Sequence, residues 1–456
     1  MADFYLDYKG SDYNGGGYDA SIAGATVNLA SGERYAALTA SGLECVAGTT
    51  EITSVHGGFT TDMIGNTINI FKGYDYTWGI YFISGVPDAN TLLLDSSPAP
   101  SNNAVSGVGK IGGSWRTEAN LKRDTTGWYW VFYNAVSAGD TVYIKGNGQD
   151  NPPSGQYYGT PYNYIVNGSD DYPIYFKGYN GRPAWEIQEG NLFWHNSSNI
   201  TYDHIKFFGS AGQWETNYQA VNGNNRTIIH DCIFDQRGTR AGGFRGNVAN
   251  CYVYNSKKDE TASYSSQTIA IYAPDHGVAC YNNVVEDYVG NGIYINQINT
   301  CDNNVINNVD GYGIRYNQGG SWNGSVKYNT INRCKLQGIK TDYTRRTRII
   351  GNLITNCSGA AIANTRTANE NYPSNPFFLD FNAFYGNTMN ASGYSGGTND
   401  IVLLADPYTN EASGELTLNN VEDGGKSCRG AFVKTTAAYS KTQSYQDIGA
   451  LQAYDK

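Results

Sequence analysis

Charge is scarce in this 456-residue chain, where Asp, Glu, Lys and Arg together make up 16% of residues. Long runs of Ala, Leu, Glu and Lys, the material of extended helices, are few. No stretch holds eighteen consecutive apolar residues, so no transmembrane helix is expected. The opening residues Met1-Ala-Asp-Phe-Tyr-Leu-Asp-Tyr8 lack a basic start and an apolar core, so no secretory signal is expected and the chain reads as soluble. A polybasic segment is missing too. With a formal net charge of −10 and a pI near 5.0, the field repels nucleic acid and anionic lipid, and neither is an expected partner. Eight cysteines are too sparse for a disulfide scaffold, and none forms Cys-x-x-Cys or zinc-finger spacing. The five histidines, among them His195, His204 and His230, show neither triad nor metal spacing. No metal site and no cofactor are expected, with a divalent cation such as calcium left open.

What is abundant is glycine (55) and tyrosine (38), a mixture that favours strands and turns. Self-similarity runs from about residue 280 to 365. Cys280-Tyr-Asn-Asn-Val-Val285, Cys301-Asp-Asn-Asn-Val-Ile306, Val326-Lys-Tyr-Asn-Thr-Ile331 and Ile349-Ile-Gly-Asn-Leu-Ile354 align on Asn283, Asn304, Asn329 and Asn352, in steps of 21, 25 and 23 residues. Nine residues after each asparagine comes a second anchor: Gly292-Ile293, Gly313-Ile314, Gly338-Ile339 and Ala361-Ile362. A weaker copy begins at Asp231, with Asp231 in the asparagine position. Asn250-Cys251 marks another, and 199–207 reads as an earlier coil.

Short strands at this period, punctuated by Asn and Gly, specify a single-stranded right-handed parallel β-helix, a solenoid whose coils pair in parallel. Three inward columns follow: Cys280, Cys301, Val326, Ile349; then Val285, Ile306, Ile331, Ile354; then Ile293, Ile314, Ile339, Ile362. The asparagines are expected at tight turns in left-handed geometry, bonding to the next coil. Cys280 with Cys301, and Cys334 with Cys357, fall at matching positions where parallel side-chain directions disfavour a disulfide, so buried free thiols are expected. The chain divides into a strand and flexible Gly-rich turn at 1–20, a small β-rich insert at 21–114, an N-terminal cap at 115–140, the solenoid at 141–430 and a C-terminal cap at 431–456. Leu416-Thr-Leu418 reads as the last strand, and the tail is expected to fold back over the final coil.

The segments 4–16, 138–146 and 447–452, with the asparagine ladder between them, resemble the pectate-lyase-like right-handed parallel β-helix superfamily, in particular its phage virion-associated members. Phe4-Tyr-Leu-Asp-Tyr-Lys-Gly-Ser-Asp-Tyr-Asn-Gly-Gly16 is similar to the family's opening strand and turn. Ala138-Gly-Asp-Thr-Val-Tyr-Ile-Lys-Gly146 is similar to its first coil, and Asp447-Ile-Gly-Ala-Leu-Gln452 to its C-terminal signature. Phe59-Thr-Thr-Asp-Met-Ile-Gly65, with Leu92-Leu-Leu-Asp95, resembles a β module preceding the first coil in virion proteins. The fold serves lyases, hydrolases, tailspikes and structural parts alike, so the resemblance implies architecture more than activity.

With the columns fixed, the residues between them face outward. One such row reads Tyr294, Arg315, Lys340, Ala363, and a second reads Asn296, Asn317, Asp342, Thr365. An aromatic, two cations, amides and a carboxylate on one face suit a glycan through stacking, charge-assisted hydrogen bonds and hydroxyl contacts. β-Elimination of a uronic acid needs a base and a cation, roles open to Arg315 and Lys340 with Asp342 orienting one of them. The plain alternative is a solvated face that keeps the solenoid soluble. A glycosidase needs paired carboxylates, and the available clusters are Asp231 with Asp235, and Glu286 and Asp287 with Asp310. Two insertions, 256–267 and Gly319-Gly-Ser-Trp-Asn-Gly324, lengthen coils, and the second offers Trp322 for contact.

The expectation is a phage virion structural or surface protein contacting host-surface polysaccharide, alongside other virion proteins and as a homotrimer. Two alternatives stay open: a polysaccharide lyase or glycoside hydrolase, and a secreted or cell-surface structural β-helix located outside the cell.

Overall fold

A computed structural model describes residues 2–17, 37–116, 136–154, 157–159, 168–187, 193–194, 199–209, 219–224, 226–239, 242–257, 268–274, 277–296, 299–317, 324–343, 347–364, 378–393, 396–429, 432–433 and 445–446. The fold is all-β, a parallel β-helix. Among the described residues no helix is long and apolar enough to cross a membrane. The chain forms two compact units, residues 1–186 with 195–206, and 187–194 with 207–456.

In the first unit, Asp3–Leu6 pairs in parallel with Thr141–Lys145, which pairs in turn with Ile174–Tyr179 and then Ile200–Asp203. The chain between the first two strands folds as a closed antiparallel barrel in the order Leu38–Cys45, Glu51–Ser54, Thr91–Leu94, Gly79–Asp88, Thr67–Tyr74 and Ala104–Ile111. Closure leaves no free sheet edge, and Leu43, Ile52, Met63, Ile68, Ile70, Leu92 and Ile111 fill the interior. The glycine-rich turn after Asp3–Leu6, expected as a flexible segment, makes a set of specific hydrogen bonds. The backbone N–H groups of Gly15 and Gly16 donate to Gly112 and Gly113, and the Trp115 indole donates to Asn14 O at 3.0 Å. Glycine is obligatory at Gly16, where φ is +82° and a Cβ would lie 2.0 Å from the Trp115 ring. Trp115 itself stacks on Phe4. The remainder of the expected cap, 117–135, lies outside the described residues.

The second unit is built on three parallel sheets. The first runs from Thr227–His230 to Phe378–Asp380, the second from Ile233–Asp235 to Ile401–Val402, and the third from Phe193–Trp194 to Met389–Ser392. The three inward columns read from the sequence pair residue by residue. Cys280, Cys301, Val326 and Ile349 stack in the first sheet, Val285, Ile306, Ile331 and Ile354 in the second, and Ile293, Ile314, Ile339 and Ile362 in the third. All twelve side chains are 0% exposed. All eight cysteines are buried and free.

The asparagine column is a continuous amide ladder. Asn304 Oδ1 accepts the backbone N–H and the side-chain amide of Asn283, both at 3.0 Å, and Asn283 Nδ2 also donates to Val248 O. The motif repeats through Asn329, Asn352 and Asn382 and closes on Asp400. Two expectations shift by one residue. The left-handed turn belongs to the preceding residue, Asn282 (φ +57°), Asn303 (+59°), Tyr328 (+56°) and Gly351 (+67°), because the ladder asparagine must aim its amide inward along the column. Asp231 also takes that turn position (φ +48°). The ladder position in its coil falls to Cys232, as it falls to Cys251 in the next, since Phe234, Val253 and Val285 stack two residues later.

After the last coil, Tyr408–Asn410 and Glu415–Leu418 form an antiparallel hairpin, and Tyr408, Leu416 and Leu418 pack on Val305, Leu353 and Ala383. Leu416–Leu418 is not the final strand stretch, because Phe432–Val433 pairs antiparallel with Tyr445–Gln446. The remaining tail residues, 434–444 and 447–456 with the segment Asp447–Gln452, lie outside the described residues.

Candidate functional site

The outward row of the third sheet of the second unit is longer than the sequence indicated. Successive coils stack Asn222, Arg245, Tyr272, Tyr294, Arg315, Lys340, Ala363 and Ser392. Each follows an inward residue such as Val221, Phe244, Ile271 or Ile293, and strand alternation turns the row outward, with Ala363 nonetheless buried.

The side chains of this row touch their neighbours. The guanidinium of Arg245 lies 5.1 Å from the Tyr272 ring centroid and donates through Nη1 to Asn222 Oδ1 at 3.1 Å. Tyr272 stacks on Tyr294 with centroids 5.1 Å apart and planes 13° from parallel. Arg315 then covers Tyr294 at 5.2 Å. The result is a cation, two rings and a second cation in sequence, each contact of the kind that stabilises by about 0.5–1 kcal/mol at partly exposed positions. The Asn317 amide donates to Tyr294 Oη at 3.0 Å, and the Asn296 amide to Pro274 O at 3.2 Å.

Asp342 joins the two cations. Its Oδ2 accepts from Arg315 Nε at 2.7 Å, while Lys340 Nζ stands 3.2 Å from its Oδ1 and 3.3 Å from Tyr312 Oη. Burial alone would raise the Asp342 carboxyl, but Arg315 and Lys340 outweigh it and hold the group below the ordinary carboxylate range. Desolvation would lower the Arg315 guanidinium, and its bond to Asp342 overcomes this and raises it. Arg315 is therefore a fixed cation, suited to stabilising charge and unsuited to abstracting a proton.

The structure thus brings Tyr294, Arg315, Asn317, Lys340 and Asp342 together, with two corrections. Asp342 is not level with Asn317: a bulge in Ile339–Tyr343 puts Tyr343 opposite it, and the bulge swings Asp342 between Arg315 and Lys340. Stacking of a sugar on Tyr294 is also ruled out, because Tyr272 covers one face of the ring and Arg315 the other. Trp322 and Thr365 lie outside the described residues. Sequence reasoning missed Asn222, Arg245, Tyr272 and Tyr312. The pairs Phe244-Arg245 and Ile271-Tyr272 repeat the apolar-then-polar step of Ile293-Tyr294, but the long insertion at 256–267 hides their register.

The carboxylate clusters have partners of their own. Asp235 is buried and accepts backbone N–H groups from Arg237 and Ser256. Glu286 accepts from Tyr252 Oη at 3.0 Å, Asp287 from the Asn308 amide, and Asp310 pairs with Lys335 at 2.7 Å. His230 contacts the Asn250 amide at 2.8 Å and His204 lies 3.6 Å from Asp150, whereas His195 is outside the described residues. Among the described residues no group of three His, Cys, Asp or Glu side chains is placed to hold a metal ion.

No protein-family model matches the chain, and no curated protein matches it. Among solved structures it is similar to pectate lyase Pel9A, with 14% identity over 69% of this chain and 88% of that one and a TM-score of 0.41. It is similar to a PL6 family polysaccharide lyase from Pseudopedobacter saltans, with 11% identity over 69% and 95% of the two chains and a TM-score of 0.33. A third similarity is to the tailspike of Acinetobacter baumannii bacteriophage AP22 in complex with capsular saccharide, with 11% identity over 82% and 65% and a TM-score of 0.18.

Proposed function

We propose that this chain is a polysaccharide-binding β-helix that grips an extended acidic glycan along the third sheet of its second unit. The observation that carries the reading is the unbroken outward row Arg245, Tyr272, Tyr294, Arg315 and Lys340 on five successive coils. Among the described residues of the row and Asp342 beside it, three cations stand against one carboxylate, which favours an anion, and the hydroxyl and amide of Tyr294 and Asn317 suit sugar hydroxyls. The proposed setting is a phage particle, with the chain a homotrimeric surface protein meeting host glycan beside other virion proteins. The segments at 59–65 and 92–95 support that setting by their resemblance to virion modules. The test is calorimetric titration with bacterial capsular, alginate and pectin polymers. Binding abolished by Arg315→Ala supports the reading, and no binding by the intact chain refutes it.

One observation favours a lyase as the second reading. Lys340, which becomes a base once its proton passes to solvent and its pairing with Asp342 Oδ1 is broken, stands beside the fixed cation Arg315, and the two offer the base and the charge that proton abstraction next to a carboxylate requires. Unsaturated product absorbing in the ultraviolet during the same incubations would establish it.

A further inference from the structure

The charges of the row are unevenly spaced, and their spacing points to a class of ligand, on the premise that the row binds glycan. Arg245 has no carboxylate partner among the described residues; its polar contact is the Asn222 amide oxygen, and its Nε is buried without an acceptor. At the other end Arg315 and Lys340 share Asp342, so among these three side chains two positive charges meet one negative. Between the two poles stand Tyr272 and Tyr294, two coils without a cation in the row. Their rings are stacked face to face, so ring edges and not faces meet a ligand, and Tyr294 Oη holds the Asn317 amide. At roughly 4.8 Å per parallel strand, Arg245 lies about 14 Å from Arg315 and about 19 Å from Lys340 along the row.

We propose that the ligand is an internal stretch of a heteropolysaccharide whose acidic sugars are separated by neutral ones. One anionic group pairs with Arg245 and the next with the Arg315–Lys340 end, while hydroxyls of the intervening sugars meet Tyr294 Oη and the Asn317 amide. A polymer carrying a carboxylate on every sugar sets extra anions over the tyrosine edges, where no cation of the row answers them, and against Asp342. Charge-assisted hydrogen bonds are roughly twice as strong as neutral ones, so the two poles dominate selection.

The test compares three polymers by calorimetry: polygalacturonate, with an acid on every sugar; a capsular polysaccharide with one uronic acid per three- or four-sugar repeat; and neutral dextran. The sparsely charged polymer is expected to bind about tenfold more tightly than polygalacturonate per site, and dextran weakest. Arg245→Gln and Lys340→Gln are each expected to weaken the capsular polymer about tenfold, with melting temperatures confirming that both variants fold. Polygalacturonate binding equally well or better, or Arg245→Gln leaving affinity unchanged, overturns the two-pole arrangement while the glycan reading stands. Failure of all three polymers to bind refutes both.

Discussion

Asp400 receives Asn382 twice on one oxygen: its Oδ1 accepts the backbone N–H at 2.8 Å and the side-chain amide at 3.2 Å, while its Oδ2 accepts Gly397 N–H at 2.7 Å. The amide ladder has a direction, each asparagine donating to the next coil and accepting from the one before. Its last member therefore only needs to accept, and a carboxylate fills that place.

Position along the ladder thus decides what a substitution costs. Asn329→Asp puts a carboxylate oxygen where Nδ2 donates to Cys301 O and Asn352 Oδ1, both at 2.9 Å, in a fully buried site. A loss of at least about 3 kcal/mol is expected, larger at pH 8 than at pH 4 because the ionised form is the costlier one. Asp400→Asn keeps an acceptor for Asn382 and spoils only the bond from Gly397, at about 1 kcal/mol. Urea denaturation of the two variants should separate them clearly, and equal losses would contradict the direction of the ladder.

Ile314→Asp tests the inward columns. Ile314 is fully buried between Ile293 and Ile339, and an unpaired carboxylate in that column should cost several kcal/mol or prevent folding altogether. A melting temperature unchanged from the parent would refute the register.

That register was legible in the sequence because like residue types recur at a fixed offset: asparagine, then an aliphatic two later, then a small residue, glycine or alanine, and isoleucine nine and ten later. Where the types change, legibility fails. Cys232 and Cys251 occupy the ladder without an amide, so the sequence pattern points to the neighbouring Asp231 instead. Asn382 escapes the pattern because Phe384 stands two residues later in place of an aliphatic, and Asp400 because an acid replaces the amide only 18 residues on. Of the site, the cluster of Arg315, Lys340 and Asp342 was readable from adjacent strands, whereas the bulge that brings Asp342 between the cations is a backbone event with no residue signature. The stacking of Tyr272 on Tyr294 depended on a register hidden by an insertion.

The thiols should be silent in the native protein. All eight are buried, and burial pushes Cys280 up to about 12 and Cys301 well above its usual value, so the reactive thiolate is suppressed. Titration with a chromogenic disulfide reagent is expected to find almost no reactive thiol in buffer and eight in guanidinium. Rapid native reaction at Cys280 would mean that the column opens.

The C-terminal hairpin depends on one carboxylate. Glu411 accepts from Arg333 Nε at 2.6 Å and from the amides of Asn332 and Asn356, and Tyr408 Oη meets Thr355 Oγ1 at 2.9 Å. Burial would raise the Glu411 carboxyl, but Arg333 and the amides prevail and lower it. A lowered carboxyl stabilises above its unfolded value near 4.3 and loses that contribution as pH falls through the folded value. The protection factors of amides in the Tyr408–Leu418 segment, with exchange referred to the intrinsic rate at each pH, should therefore be unchanged from pH 8 to 5 and fall below about pH 4. Glu411→Gln should lower that protection above about pH 5, by less than about 1 kcal/mol given the partly exposed Arg333, and the difference from the parent should vanish as Glu411 itself protonates.

Glycan affinity should depend on salt and hardly on pH. Asp342 is held below the ordinary carboxylate range and Arg315 above its own, so neither changes charge between pH 5 and 8. Both poles of the row are half-buried and open to counterions, so raising ionic strength from 0.05 to 0.5 M should weaken an acidic polymer several-fold as the Debye length contracts. Asp342→Asn removes the carboxylate that offsets one of the two cations. It should tighten binding of the acidic polymer at low salt and steepen the salt dependence, leaving the weak dextran interaction unchanged. Weaker binding by Asp342→Asn would instead make Asp342 the group that holds Arg315 in position, its 2.7 Å bond to Nε outweighing the charge it cancels.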